Sequence, residues 1–138
     1  MGARNKSTKE QKQRIALYGR VAVESPDMVA GQKAILEAEL EKHQDWVLRG
    51  IYFDVGPSDD EMKQTPALRR MLQAAERGDF DRVVTTGISR ISRGVPRLLE
   101  IVRFLKEKGV AVDFLKEGIS TDTQEYEEMA RWREQLGQ

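Results

Sequence analysis

Arg14-Ile15-Ala16-Leu17-Tyr18-Gly19-Arg20-Val21-Ala22-Val23 is the stretch on which the fold turns. Ile15, Leu17, Val21 and Val23 suit a strand covered on both faces, as in a parallel sheet. Arg20 sits inside this apolar run, where a charge is costly without a partner. That makes it a functional candidate rather than a surface residue. The period-2 alternation of a strand predicts that Arg20 and Ala22 point to the same face.

Helix-like and strand-like segments alternate from here onward. A helix is predicted from Val29 to His43, with Ile35, Leu36, Glu39 and Leu40 as its inner stripe. Trp46 to Asp54 reads as a second strand, and the polar Val55 to Gln64 as a mobile loop. Thr65-Pro66 looks like a helix N-cap with proline at the first helical position, and Gly78 ends that helix. Arg82 to Thr86 is a short third strand, followed by a turn at Gly87 to Gly94. Leu98, Ile101, Val102 and Leu105 then mark an amphipathic helix stopped by Gly109. Val110 to Leu115 is the next strand, Gly118 to Asp122 a loop, and Gln124 to Leu136 a final polar helix. The fold class is therefore α/β, a mostly parallel sheet with helices on both faces. Functional residues are expected at the ends of the first and third strands.

Composition narrows the chemistry. The 138 residues include no cysteine and one histidine, which excludes disulfides, thiolate catalysis and multi-histidine metal sites. No metal and no cofactor are expected. His43 lies in the polar run Glu41-Lys42-His43-Gln44 and is expected to be a solvated helix-end residue. No apolar run has the length of a membrane span, so no membrane partner and a cytoplasmic setting are expected. The 23 basic and 23 acidic side chains cancel, yet residues 1–14 carry Arg4, Lys6, Lys9, Lys12 and Arg14 against Glu10. Residues 1–13 are expected to be a flexible basic tail, and 14–138 one domain.

Four motifs then fall in register. Tyr18-Gly19-Arg20-Val21-Ala22-Val23 is followed by Gln32, and Pro66-Ala67-Leu68 opens the second helix. Ile88-Ser89-Arg90-Ile91-Ser92-Arg93 follows the third strand, and Gly118-Ile119-Ser120-Thr121-Asp122 comes last. Together they resemble the catalytic domain of the serine recombinases, the resolvase and DNA invertase family. The usual forms there are Tyr-x-Arg-Val-Ser, Arg-Pro-x-Leu, Leu-Asp-Arg-Leu-x-Arg and Gly-Ile-x-Thr.

The resemblance implies DNA strand exchange through a phosphoserine, with arginines stabilising charge on the phosphoryl oxygens and no metal required. It assigns Arg20, Arg90 and Arg93 to the scissile phosphate, and it makes DNA and a homo-oligomer (dimer or tetramer) or a full-length recombinase the expected partners. It also exposes departures. Ala22 stands at the nucleophile position, where a methyl group cannot attack phosphorus. Thr65 stands where the family usually has arginine, and Ser89 where it usually has aspartate. Ser25, Ser92 and Ser120 read as turn or capping residues. After Asp122 the remaining residues are expected to be too short to hold both the family's long helix and its separate DNA-binding domain, so no C-terminal DNA-binding domain is expected in this chain. The expectation is a recombinase catalytic domain left inert by Ala22, whether by design or by natural change; the alternative is a non-catalytic binding or regulatory protein that keeps the fold. An unrelated nucleotide binder ranks low, because no Gly-x-Gly-x-x-Gly or Gly-Lys-Ser/Thr segment follows the first strand.

Overall fold

The computed structural model describes residues 12–56, 65–124, 126–128 and 131. Five strands, β1 (Gln13–Val21), β2 (Trp46–Val55), β3 (Arg82–Thr85), β4 (Ala111–Phe114) and β5 (Ile119–Ser120), form one sheet in the order β2-β1-β3-β4-β5. The first four pair in parallel, and β5 runs antiparallel to β4. Four helices connect them: α1 (Pro26–Glu41), α2 (Pro66–Glu76), α3 (Ile88–Ile91) and α4 (Val95–Glu107).

Each face of the sheet carries its own core. Ile15, Leu17 and Val84 pack with Leu36 of α1 on one side. On the other, Ala16, Tyr18, Val83, Val112 and Phe114 meet Leu68 and Met71 of α2 and Ile101 and Leu105 of α4. Burial on both faces is why the strands read as near-continuous apolar runs. At the far end of β1, Arg14 grips Asp81 with two side-chain bonds, Nε to Oδ2 at 3.1 Å and Nη2 to Oδ1 at 2.8 Å. Arg82 ties β3 to Asp113 of β4 and to Asp122 beyond β5.

Several boundaries and faces differ from the sequence reading. β1 ends at Val21, so Ala22 and Val23 are exposed beyond it and strand alternation does not align Ala22 with Arg20. Ile35 is 56% exposed, because among the described residues α1 is the only helix packed into the core on its face, and it buries only Gln32 and Leu36. The loop expected at Gly118 to Asp122 contains β5, which adds an antiparallel strand to the parallel sheet. His43 is not simply solvated: its ring stacks on Trp46 with centroids 3.6 Å apart and bonds Glu39 at 3.0 Å. The basic tail up to residue 11, most of the polar loop (57–64), and Met129, Trp132 and Leu136 of the final helix lie outside the described residues.

Candidate active site

Arg20 lies near the C-terminal end of β1, and the segments that follow β2 and β3 reach it. Its side chain is almost entirely enclosed, 3% exposed, and hydrogen bonds account for how a charge is held there. Nε donates to the carbonyl oxygen of Arg90 at 3.1 Å, Nη1 to that of Gly56 at 2.8 Å, and Nη2 to that of Ser89. All three acceptors are neutral, so none of these bonds cancels the positive charge.

The backbone of Arg20 is held just as firmly. Its N–H donates to Oε1 of Gln32 at 3.0 Å, and its carbonyl accepts from Nε2 of the same amide at 3.1 Å. Gln32 thus acts as a one-residue partner strand. It satisfies both backbone groups of Arg20 from the first turns of α1. Nη1 of Arg90 donates a further bond to the Arg20 carbonyl at 3.0 Å. The amide needs room, and Gly19 provides it. A Cβ at Gly19 would lie 2.4 Å from the Phe53 ring and 2.8 Å from Oε1 of Gln32.

Asp54 stands opposite Arg20 in the β1–β2 register and is equally buried. Its carboxylate accepts from the Tyr18 hydroxyl at 2.8 Å, and from the backbone N–H groups of Ala67 at 2.8 Å and Leu68 at 2.9 Å. It therefore caps α2, an anion at a helix N-terminus. Thr65 occupies the cap position with Pro66 next, as expected, but its side chain makes no capping bond; its buried hydroxyl has no partner among the described residues. Asp54 was not singled out in the sequence reading. The available signal was an acid closing an apolar strand, as Arg20 closes the strand beside it.

Charge states follow from this packing. Burial, above all, pulls the Arg20 guanidinium down from its ordinary value, and the charges of Arg90 and Arg93 push it further. Burial also drives the Tyr18 phenol up, reinforced by the Asp54 carboxylate. Tyr18 is a neutral donor to Asp54 at any ordinary pH.

Arg20 and Arg90 are thus in direct contact, and Arg93 is close enough for its charge to act on Arg20. Arg90 and Arg93 do not share a helix, because α3 stops at Ile91 and Ser92 is extended. Arg93 and Ser89 are exposed, as is Ala22. Ser25 caps α1 by accepting from the N–H of Met28, and the Ser92 hydroxyl bonds the backbone of Gly94. Ser120 lies in β5 and bonds Asp113. Among the described residues no cluster of three or more His, Cys, Asp or Glu side chains could hold a metal ion, and no helix is long and apolar enough to cross a membrane.

The family described as Resolvase, N terminal domain matches residues 15–137, and the chain belongs to it. The fold is that of a serine recombinase catalytic domain. The N-terminal catalytic domain of TP901-1 integrase superimposes with a TM-score of 0.78 at 24% identity, over 91% of this chain and 94% of that one. A resolvase family site-specific recombinase from Streptococcus pneumoniae gives 0.69 at 22% identity, over 89% and 87%. The C-terminal catalytic domain of ISC1926 TnpA, an IS607-like serine recombinase, gives 0.66 at 17%, over 74% and 70%. A search of curated proteins gave no significant match.

Proposed function

We propose that this domain engages a DNA backbone phosphate at Arg20, Arg90 and Arg93, and that it is inert in strand cleavage because Ala22 holds the nucleophile position. The observation that carries the reading is the mutual grip of Arg20 and Arg90 beside an exposed Ala22, at the end of the strand where the family places its serine. Guanidinium groups suit the task because they stay charged and offer paired donors to paired phosphate oxygens.

In the working reaction a serine Oγ attacks phosphorus in line. The Oγ–P bond forms, the bond from phosphorus to the 3′ oxygen breaks, and a proton passes to that oxygen to leave a 3′-hydroxyl. Phosphodiester energy is kept in the phosphoserine, so rejoining is the same step reversed. The arginines supply charge stabilisation and positioning. In this chain the methyl group of Ala22 removes the attack while leaving the cationic site in place. DNA, together with a second copy or a full-length recombinase in a cytoplasmic setting, is the partner set this reading requires.

The alternative, a non-catalytic binding protein, is favoured by one observation: Thr65, at the position of a family arginine, buries a hydroxyl that bonds nothing described. Both readings share the phosphate contact. Binding to a duplex should weaken across sequences in Arg90→Ala and Arg93→Ala, each lowering the slope of log affinity against log salt by about 1. Unchanged slopes in both variants would remove the phosphate assignment.

A further inference from the structure

The fourth sequence motif lies on the far edge of the sheet from Ala22, yet its turn reaches the arginine site. Glu117 lies in the turn after β4, and Gly118 ends that turn with φ +66°, a left-handed conformation that favours glycine. The neighbouring backbone is fixed. The N–H groups of Leu115 and Lys116 bond the carbonyls of Thr85 and Thr86 at 3.0 and 2.8 Å. Thr121 bonds Val112 through both its hydroxyl and its N–H, at 2.9 Å each. The turn is thereby held against the end of β3, where α3 begins.

From there Oε1 of Glu117 accepts from the N–H of Ile88, the first residue of α3, at 3.2 Å. Gly87, at the cap position, has no side chain to do this, and a Cβ built on it would lie 3.7 Å from both Glu117 oxygens. We propose that Glu117 is a positioning residue for the arginine site: it caps α3 from the turn after the neighbouring strand β4 and so fixes the Ser89 and Arg90 carbonyls on which Arg20 is seated. A helix of one turn has little stability of its own, so an outside cap decides whether it holds its shape. An anion at this end is also favoured by the exposed N–H groups. The functional meaning rests on the arginine-site reading above, but the geometry can be tested without DNA or activity.

The test is hydrogen exchange at the arginine Nε–H groups of the full chain, labelled with nitrogen-15. Arg20 reports the site through its bond to Arg90. Arg82, whose Nε donates to Gln13 at 2.8 Å at the other end of the sheet, reports global stability in the same spectrum. Glu117→Ala should accelerate Arg20 exchange about fivefold, the size expected for loss of one cap, with Arg82 unchanged. Glu117→Gln, which keeps an acceptor oxygen, should restore most of the protection. Three results would each overturn the assignment: unchanged Arg20 exchange in Glu117→Ala, equal acceleration at Arg82, or a Gln variant no better than Ala. The function reading stands or falls separately, on DNA contact.

Discussion

Arg20 and Arg90 hold each other by the backbone: Nε of Arg20 donates to the Arg90 carbonyl at 3.1 Å, and Nη1 of Arg90 donates to the Arg20 carbonyl at 3.0 Å. Two like charges are brought together by neutral acceptors rather than by a shared carboxylate. The end of β1 and the short helix α3 are therefore tied together directly.

Arg20→Ala should cost about 3 kcal/mol of stability, because three carbonyl oxygens lose a charged donor inside a closed site. Denaturant unfolding measures it. A loss below 0.5 kcal/mol, roughly the scale of an ordinary surface substitution, would mean those carbonyls find water and the enclosure has been misjudged.

Gly19→Ala tests the close approach above β1. The added methyl would collide with the Phe53 ring and the Gln32 amide. A loss of about 1–3 kcal/mol is expected for such overpacking. It should be accompanied by weaker protection of the Arg20 backbone amide in hydrogen exchange. Protection equal to the parent chain would show that Gln32 is not the partner of this strand end.

Asp54 serves two helix N–H groups and Tyr18, so Asp54→Ala should cost about 3 kcal/mol, whereas Tyr18→Phe removes one bond and should cost about 1 kcal/mol. The order matters more than the values. Thr65→Val should be neutral or slightly stabilising, since the hydroxyl it removes is buried and unpaired. A loss near 1 kcal/mol for Thr65→Val would instead reveal the side-chain cap that Thr65 resembles in sequence.

How much of this could be read from the chain follows from the range of each cue. β1 was legible because a near-continuous apolar run, a charge set inside it and the Tyr-x-Arg motif all fall within ten residues. The helix stops at Gly78 and Gly109 were legible from local turn chemistry, and both have positive φ. Ile35 misled because helical spacing identifies an apolar stripe but not the width of sheet beneath it. Asp54 was missed because its importance comes from N–H groups of residues 67 and 68 and a hydroxyl 36 residues away, contacts that spacing cannot express. Where α3 stops was not legible, because nothing in Ile91-Ser92-Arg93 forbids a continuing turn; Ser92 leaves it by bonding Gly94.

Acid should act on the Arg14–Asp81 pair. The hydrogen bond from Arg14, above all, holds the Asp81 carboxyl below its ordinary range. A carboxyl depressed on folding contributes stability above its unfolded value of about 3.9, and that stability is lost as pH falls through the lower folded value. The stability gap between the parent chain and Asp81→Asn should therefore be full at pH 6 and shrink toward pH 2. A gap that stays constant with pH would show that the pair contributes nothing through charge.

The most direct measurement restores the missing hydroxyl. Ala22→Ser in the full chain, carrying the family's serine at the end of β1, would be incubated with DNA from its source, and denaturing electrophoresis would be used to look for protein joined to a DNA 5′ end. The expected result is a covalent adduct that disappears when Arg20, Arg90 or Arg93 is also replaced by alanine. DNA bound by the folded Ala22→Ser chain without any adduct would contradict the claim that Ala22 alone silences this site.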